Sequence, residues 1–248
     1  MNALINKRKS RDTCWTHNKR TKTDTINDFS DVSKAYDYLR SLFATEKFSQ
    51  KIVPIVWRHQ LYAICHNKTL IDRQLNTWSK SSYIRLFRLG STADDNEVAV
   101  VLMSDFQELV DKCCPKTIIT ERYLKKVIYE KHSTHISCDV LKNEYQFNEE
   151  NIIELVRIGL LARHLNVGQL LVSIPNVGEF VKTFHLGRNT LISIIKKNKY
   201  KEILKSELMK KRYPKNMKLS VEYHINDLIG SQTVEVIKTS NDLLLRLL

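Results

Sequence analysis

Apolar and polar positions along the chain recur in one order: a helical stripe, then two short apolar runs separated by a polar turn. The paired runs are YIRLFRLGSTADDNEVAVVLM (Tyr83 to Met103), GLLARHLNVGQLLVSIP (Gly159 to Pro175) and TVEVIKTSNDLLLRLL (Thr233 to Leu248). In each, apolar or β-branched residues flank a turn built from Gly, Asn, Asp or Ser, which predicts a β-hairpin. Ahead of each hairpin stands an amphipathic segment: TLIDRQLNTWSKS, NIIELVRIG and VEYHINDLIG. In the first, Leu70, Ile71, Leu75 and Trp78 keep helical spacing; in the second, Ile152, Ile153, Leu155, Val156 and Ile158 keep it less cleanly. Further helical segments lie upstream, DVSKAYDYLRSLF and VPIVWRHQLYAIC before the first hairpin and ITERYLKKVIYE before the second.

The turn centres fall near residues 93, 167 and 240, so the unit repeats after 74 and then 73 residues. A fixed period is the sequence sign of repeated structural units. Two or three helices followed by a two-stranded wing, within ~70 residues, is the anatomy of a winged helix. The expected fold class is therefore α+β, predominantly α, with three tandem winged-helix domains at 31–104, 105–175 and 176–248 behind a disordered basic tail at 1–30. The competing reading is one mixed α+β domain whose hairpins happen to be evenly spaced.

The stretch GRNTLISIIKKNKYKEILKSELMKKR (Gly187 to Arg212) carries two apolar stripes. Leu191, Ile192, Ile194 and Ile195 form one; Tyr200, Ile203, Leu204 and Leu208 form the other. At 100° per residue the stripe centres differ by roughly 150°, so one straight helix cannot bury both against the same core. The chain is expected to turn at KKNK, leaving Lys196 and Lys197 opposite the first stripe and Lys201 and Lys205 opposite the second, all facing solvent.

Charge gives this ridge its meaning. The net charge is +13, and residues 182–218 hold twelve Lys and Arg against two Glu, while residues 1–30 hold seven against three Asp. The remainder balances, with 21 basic and 22 acidic residues. A focused excess of this kind concentrates a polyanion, because local potential rather than total charge attracts phosphate. Cations at a helix C-terminus also interact favourably with the helix dipole, but that accounts for two or three of them, not twelve. In the tail, Lys7, Arg8 and Lys9 and then Lys19, Arg20 and Lys22 resemble a bipartite nuclear localisation signal.

With 42% hydrophobic residues, 6 Gly and 4 Pro, the composition is that of a globular protein, and no apolar run approaches the length of a membrane span. Five cysteines without regular spacing suggest free thiols in a reducing compartment.

Enzymatic motifs do not assemble. A protein kinase needs a Gly-rich loop, a strand Lys, H-R-D and D-F-G. Here the six glycines are scattered, Glu97 to Val101 has strand character without the Lys, Ser104-Asp105-Phe106-Gln107 has Gln where Gly belongs, and neither H-R-D nor a Walker A sequence occurs. Cys113, Cys114, His132, His135 and Cys138 are zinc-ligand types, but adjacent cysteines do not supply the C-x₂₋₄-C spacing of a structural site. No cofactor or metal is expected. Trp57, Trp78, Tyr83 and Phe87 sit in amphipathic elements and predict core, which argues against a stacking platform for single strands.

PIVWRHQLYAI with TLIDRQL (Pro54 to Leu75), IPNVGEFVKTFHLGR (Ile174 to Arg188), KKNKYKEILKSEL (Lys196 to Leu208) and YHINDLIGSQTVEVI with LLLRL resemble the serine/threonine-protein kinase 19 family, whose name is historical. The match runs in order from about Ile52 to the C-terminus, dense in the last 75 residues and thin in the middle. The resemblance implies a nuclear, non-enzymatic protein of three winged helices that binds double-stranded DNA in transcription-coupled nucleotide excision repair. There it would bridge stalled RNA polymerase II, the Cockayne syndrome ubiquitin-ligase subunit and TFIIH, and a homodimer on DNA is compatible with it. The family's DNA-binding positions fall on Lys68, Lys182, Lys196 and Lys211; the last two are Arg in the family, so charge is kept while bidentate phosphate geometry is given up.

Residues and resemblance together give the expected DNA site: Lys68, Lys182, Arg188, Lys196, Lys197, Lys199, Lys201, Lys211 and Arg212. Asn189, Gln232 and His224 are candidates for reading bases. The competing class is a winged-helix protein-interaction scaffold in transcription, with the basic patch docking an acidic protein; a true kinase is disfavoured.

Overall fold

The computed structural model describes residues 29, 31–65, 67–89 and 97–248. The basic clusters at Lys7, Arg8, Lys9, Lys19, Arg20 and Lys22 lie outside the described residues, as does the turn of the first hairpin near residue 93.

The chain runs α1 (Val32–Ser41), β1 (Val56–Trp57), α2 (Arg58–Ile64), α3 (Lys68–Lys80), β2 (Ile84–Arg88), β3 (Val98–Leu102). It continues α4 (Met103–Cys113), α5 (Ile118–Tyr123) with a π-helical turn (Leu124–Ile128), β4 (His135–Ser137), α6 (Cys138–Asn143), α7 (Glu149–Ile158), β5 (Leu161–Arg163), β6 (Gln169–Val172). Last come α8 (Val177–Lys197), β7 (Glu202–Leu204), α9 (Lys205–Lys210), α10 (Val221–Gly230), β8 (Val234–Lys238) and β9 (Leu243–Leu247). The class is α+β. The order helix, short strand, two helices, hairpin is met three times, and each time the short strand joins the hairpin as β1-β3-β2, β4-β6-β5 and β7-β9-β8.

Local chemistry explains most of these elements. All three amphipathic segments start at a polar cap: Asn67 Oδ1 accepts from Leu70 N at 3.0 Å, Asn148 Oδ1 from Asn151 N at 2.8 Å, and Ser220 Oγ from Tyr223 N at 3.2 Å. α7 stops at Gly159, whose φ of +89° suits a residue without Cβ. The hairpins pair antiparallel, with Phe87 opposite Ala99, Ala162 opposite Leu171 and Val236 opposite Leu245.

The apolar side chains form a local core around α1, α2 and α3, another around α8, α9 and α10, and a larger one from Phe43 to Tyr223 that draws on all three segments. Two contacts lock the segments together. Arg85 on β2 is fully buried and donates to the carbonyls of Ile128 at 2.9 Å, Ser133 at 2.9 Å and Lys131, closing the end of the π-helical turn. α2 lies against α10, where His59 Nε2 meets Asp227 Oδ1 at 2.7 Å, Gln60 Nε2 donates to Tyr223 O at 2.9 Å and Tyr223 Oη donates to Ile55 O at 2.8 Å. The helices approach so closely at Gly230 that a Cβ there would stand 2.0 Å from the His59 carbonyl oxygen.

Several expectations need correcting. The chain does turn at KKNK, but the second stripe is not helical throughout: Tyr200 has φ +61°, residues 202–204 are strand, and only 205–210 return to helix. Tyr200 is therefore 74% exposed rather than core. Lys205 does not point freely to solvent, because Glu222 holds it at 3.2 Å. Trp57 and Phe87 are buried, whereas Trp78 is half-buried and Tyr83 is exposed, the two rings meeting edge to face at the rim of the first core.

Candidate nucleic-acid interface

α8 is 21 residues long and buries Phe180, Thr183, Phe184, Gly187, Leu191 and Ile195 on one side. Residues seven apart return to nearly the same direction, so Lys182, Asn189 and Lys196 share the opposite side, and all three are exposed. At 1.5 Å rise per residue they are spaced about 10 Å apart along the helix. Lys197, Lys199 and Lys201 carry the positive surface around the turn, with Lys199 Nζ 4.9 Å from the exposed Tyr200 ring. Lys210 and Arg212 extend it past α9.

The cations divide by their partners. Lys211 lies 3.2 Å from Glu207, Lys205 is held by Glu222, and Lys218 pairs with Glu179. Among the described residues Lys182, Lys196, Lys197, Lys201, Lys210 and Arg212 make no ion pair, so their charge is presented to solvent.

Arg188 departs from the expected pattern. Its side chain is largely buried, 3.3 Å from Asp227 Oδ2 in an ion pair without hydrogen-bond alignment and 3.5 Å from Glu97 Oε1. Asp227 is fully buried, so it draws Arg188 and His59 onto one carboxylate between α8, α10 and α2. A buried charge of this sort costs several kcal/mol unless paired, and that constraint outweighs any attraction Arg188 could offer a ligand.

His224 is also removed from the surface. Its ring is buried and stacks on Phe184, and burial pushes its imidazole down to about 4, Arg188 acting in the same direction and Asp227 opposing. It cannot read bases. Asn189 and Gln232 remain exposed.

Lys68 opens α3, its ammonium 5.6 Å from the Tyr62 ring centroid. It and Arg188 line one cleft of about 410 Å³, together with Arg58, Tyr62, Gln232 and Thr233. The fold thus brings Lys68 from the first segment beside α8 of the third, a neighbourhood that no local pattern reveals. The kinase-like fragments find ordinary structural places. Val98 to Val101 belong to β3, Phe106 is core on α4, and Asp105 binds Arg40 at 2.8 Å.

A chain of small sheets and helices, each wing preceded by a capped helix, with exposed lysines along the outer side of α8 and the turn after it, is a helix-and-wing protein with a basic helix face. Its relatives agree with that class. The chain belongs to the family described as inactive serine-threonine protein kinase 19, whose model matches residues 27–247. It is similar to proteins named Winged helix repair factor 1. Identity is 32% over 216 residues with that of Homo sapiens, covering 86% of this chain and 84% of the relative. It is 28% over 232 residues with that of Xenopus laevis, covering 92% and 88%. With that of Dictyostelium discoideum it is 25% over 217 residues, covering 71% and 54%.

Proposed function

We propose that the chain is a non-enzymatic nuclear protein of three tandem winged helices, at 31–104, 105–175 and 176–248, that holds duplex DNA during transcription-coupled nucleotide excision repair. DNA lies along Lys182, Lys196 and the cations around the following turn, with Lys68 engaging a flanking phosphate. The partners in this reading are stalled RNA polymerase II, the Cockayne syndrome ubiquitin-ligase subunit and TFIIH, and the basic tail directs the chain to the nucleus. A homodimer on DNA belongs to the same reading.

The observation that carries the DNA assignment is the unpaired, exposed row at Lys182, Asn189 and Lys196, continued by Lys197 and Lys201. Lysines position a duplex through its phosphates without reading sequence. The names of the relatives support the repair setting.

The test is a mobility shift with a plain duplex, using wild type and a Lys182→Glu/Lys196→Glu/Lys211→Glu variant. The wild type is expected to shift the duplex and the variant to lose at least tenfold in affinity; equal binding would remove the site. A protein-interaction role for the second winged helix is favoured by α7, whose exposed face carries Glu149, Glu150 and the 54% exposed Ile153 and is unsuited to phosphate. Tight binding of the basic surface to an acidic protein, without a duplex shift, would make the scaffold reading the better one.

A further inference from the structure

Three helices stand directly before a hairpin: α3, α7 and α10. In helix-turn-helix relatives this is the element that enters the major groove. The three are not equivalent here. On α10, six consecutive residues from Tyr223 to Leu228 are buried, which is more than a full turn, so no side of the helix middle faces solvent. α2 covers it, held by His59 and Gln60 and admitted by Gly230. α7 begins with Glu149, which Lys142 holds at 2.7 Å, and Glu150, and it exposes Ile153, so its outer side presents an acid and an apolar side chain rather than cations.

α3 differs from both. It buries Ile71, Leu75 and Ser79, and the opposite strip is Thr69, Arg73, Asn76 and Lys80, all exposed. No carboxylate stands on that strip. Asp72, the helix's one acid, accepts a hydrogen bond from Tyr62 Oη at 2.5 Å beside it. Arg and Asn are the side chains whose paired donors and acceptors match the major-groove edges of guanine and adenine. With 13 residues, α3 is about 20 Å long, enough to lie across a groove about 12 Å wide. Lys68 at its first position lines the same cleft as Arg188 of α8, so the helix begins beside the third segment.

We infer that α3 is the major-groove element of this protein, with Arg73 and Asn76 at base edges and Lys68 and Lys80 on phosphates to either side. This rests on the duplex reading above and adds which helix enters the groove. It assigns any base preference to two residues of the first segment, outside the lysine-rich stretch of α8.

The experiment compares a plain duplex with one of the same sequence whose major groove is filled by glucosylated 5-hydroxymethylcytosine. Wild type and an Arg73→Ala/Asn76→Ala variant are titrated with both; the two residues are exposed, and an unchanged unfolding temperature confirms the fold. Wild type is expected to bind the plain duplex at least tenfold tighter than the filled one. The variant is expected to bind both alike, within twofold. Equal wild-type binding to both duplexes, with loss in a Lys182→Glu/Lys196→Glu variant, would overturn the α3 assignment and leave the basic surface standing. A variant that still discriminates would place another element in the groove and overturn it as well. No wild-type binding to the plain duplex would bring down the duplex reading itself.

Discussion

Replacing Gly230 with Ala tests the contact that seals α10 under α2. The new methyl would start 2.0 Å from the His59 carbonyl oxygen and 2.5 Å from its carbon, whereas a carbon and a carbonyl oxygen normally approach no nearer than roughly 3.3 Å. Both clashing atoms are backbone, so rotamer changes give no relief and the helices must part by about 1 Å. That movement carries the 2.7 Å His59 to Asp227 contact and the 2.9 Å Gln60 to Tyr223 hydrogen bond toward or past the useful limit. Overpacking costs about 1–3 kcal/mol, weakened buried hydrogen bonds about 1–3 kcal/mol more, and the better helix propensity of Ala returns at most about 1 kcal/mol. The net loss of about 1–5 kcal/mol lowers the melting temperature by roughly 2–20 °C for a chain of this size. Thermal and urea unfolding are measured beside Gly178→Ala, whose added Cβ meets nothing within 4 Å. If Gly230→Ala proves as stable as Gly178→Ala, the close approach of α2 to α10 is refuted, and with it the reason α10 is unavailable to DNA.

Further outcomes follow from the buried polar groups. Burial holds His224 neutral down to about 4 from an ordinary value of 6.5, so between those values the unfolded chain binds the extra proton and stability must fall as the pH is lowered. The wild type should lose up to about 3 kcal/mol from this group between pH 7 and 4, with the loss levelling off below 4. Urea unfolding of wild type and His224→Leu across that range isolates the effect, and parallel pH profiles would rule it out. Arg85→Met leaves one buried and two part-buried carbonyls without their donor and should cost about 2–3 kcal/mol in urea unfolding. Arg85→Lys should recover less than half, since one ammonium cannot reproduce the fork, and full rescue by Lys would contradict the assignment.

How much was legible depended on how local the cause was. The hairpins and the helices before them could be read because their apolar spacing and their turn residues lie within a few residues of each other. β1, β4 and β7 are two or three residues long, too short to show a period, and they exist only because a distant hairpin edge accepts them. Arg188 and His224 look like surface residues in sequence. Asp227 draws Arg188 inward, and the His224 ring lies on Phe184 and against Gly187 of α8, contacts between separate helices that no local pattern announces. Lys196 and Lys197 of α8 were legible because one apolar stripe fixes both sides of a helix at once, whereas Lys182 was placed by the resemblance.

The claim that the exposed α8 surface holds duplex DNA is tested most directly by the salt dependence of binding. If five to seven cations meet phosphates, log K should fall against log salt with a slope near −5 to −6 for the wild type. The slope should become shallower by about 2 in the Lys182→Glu/Lys196→Glu variant. A variant with the wild-type slope and affinity would contradict the account.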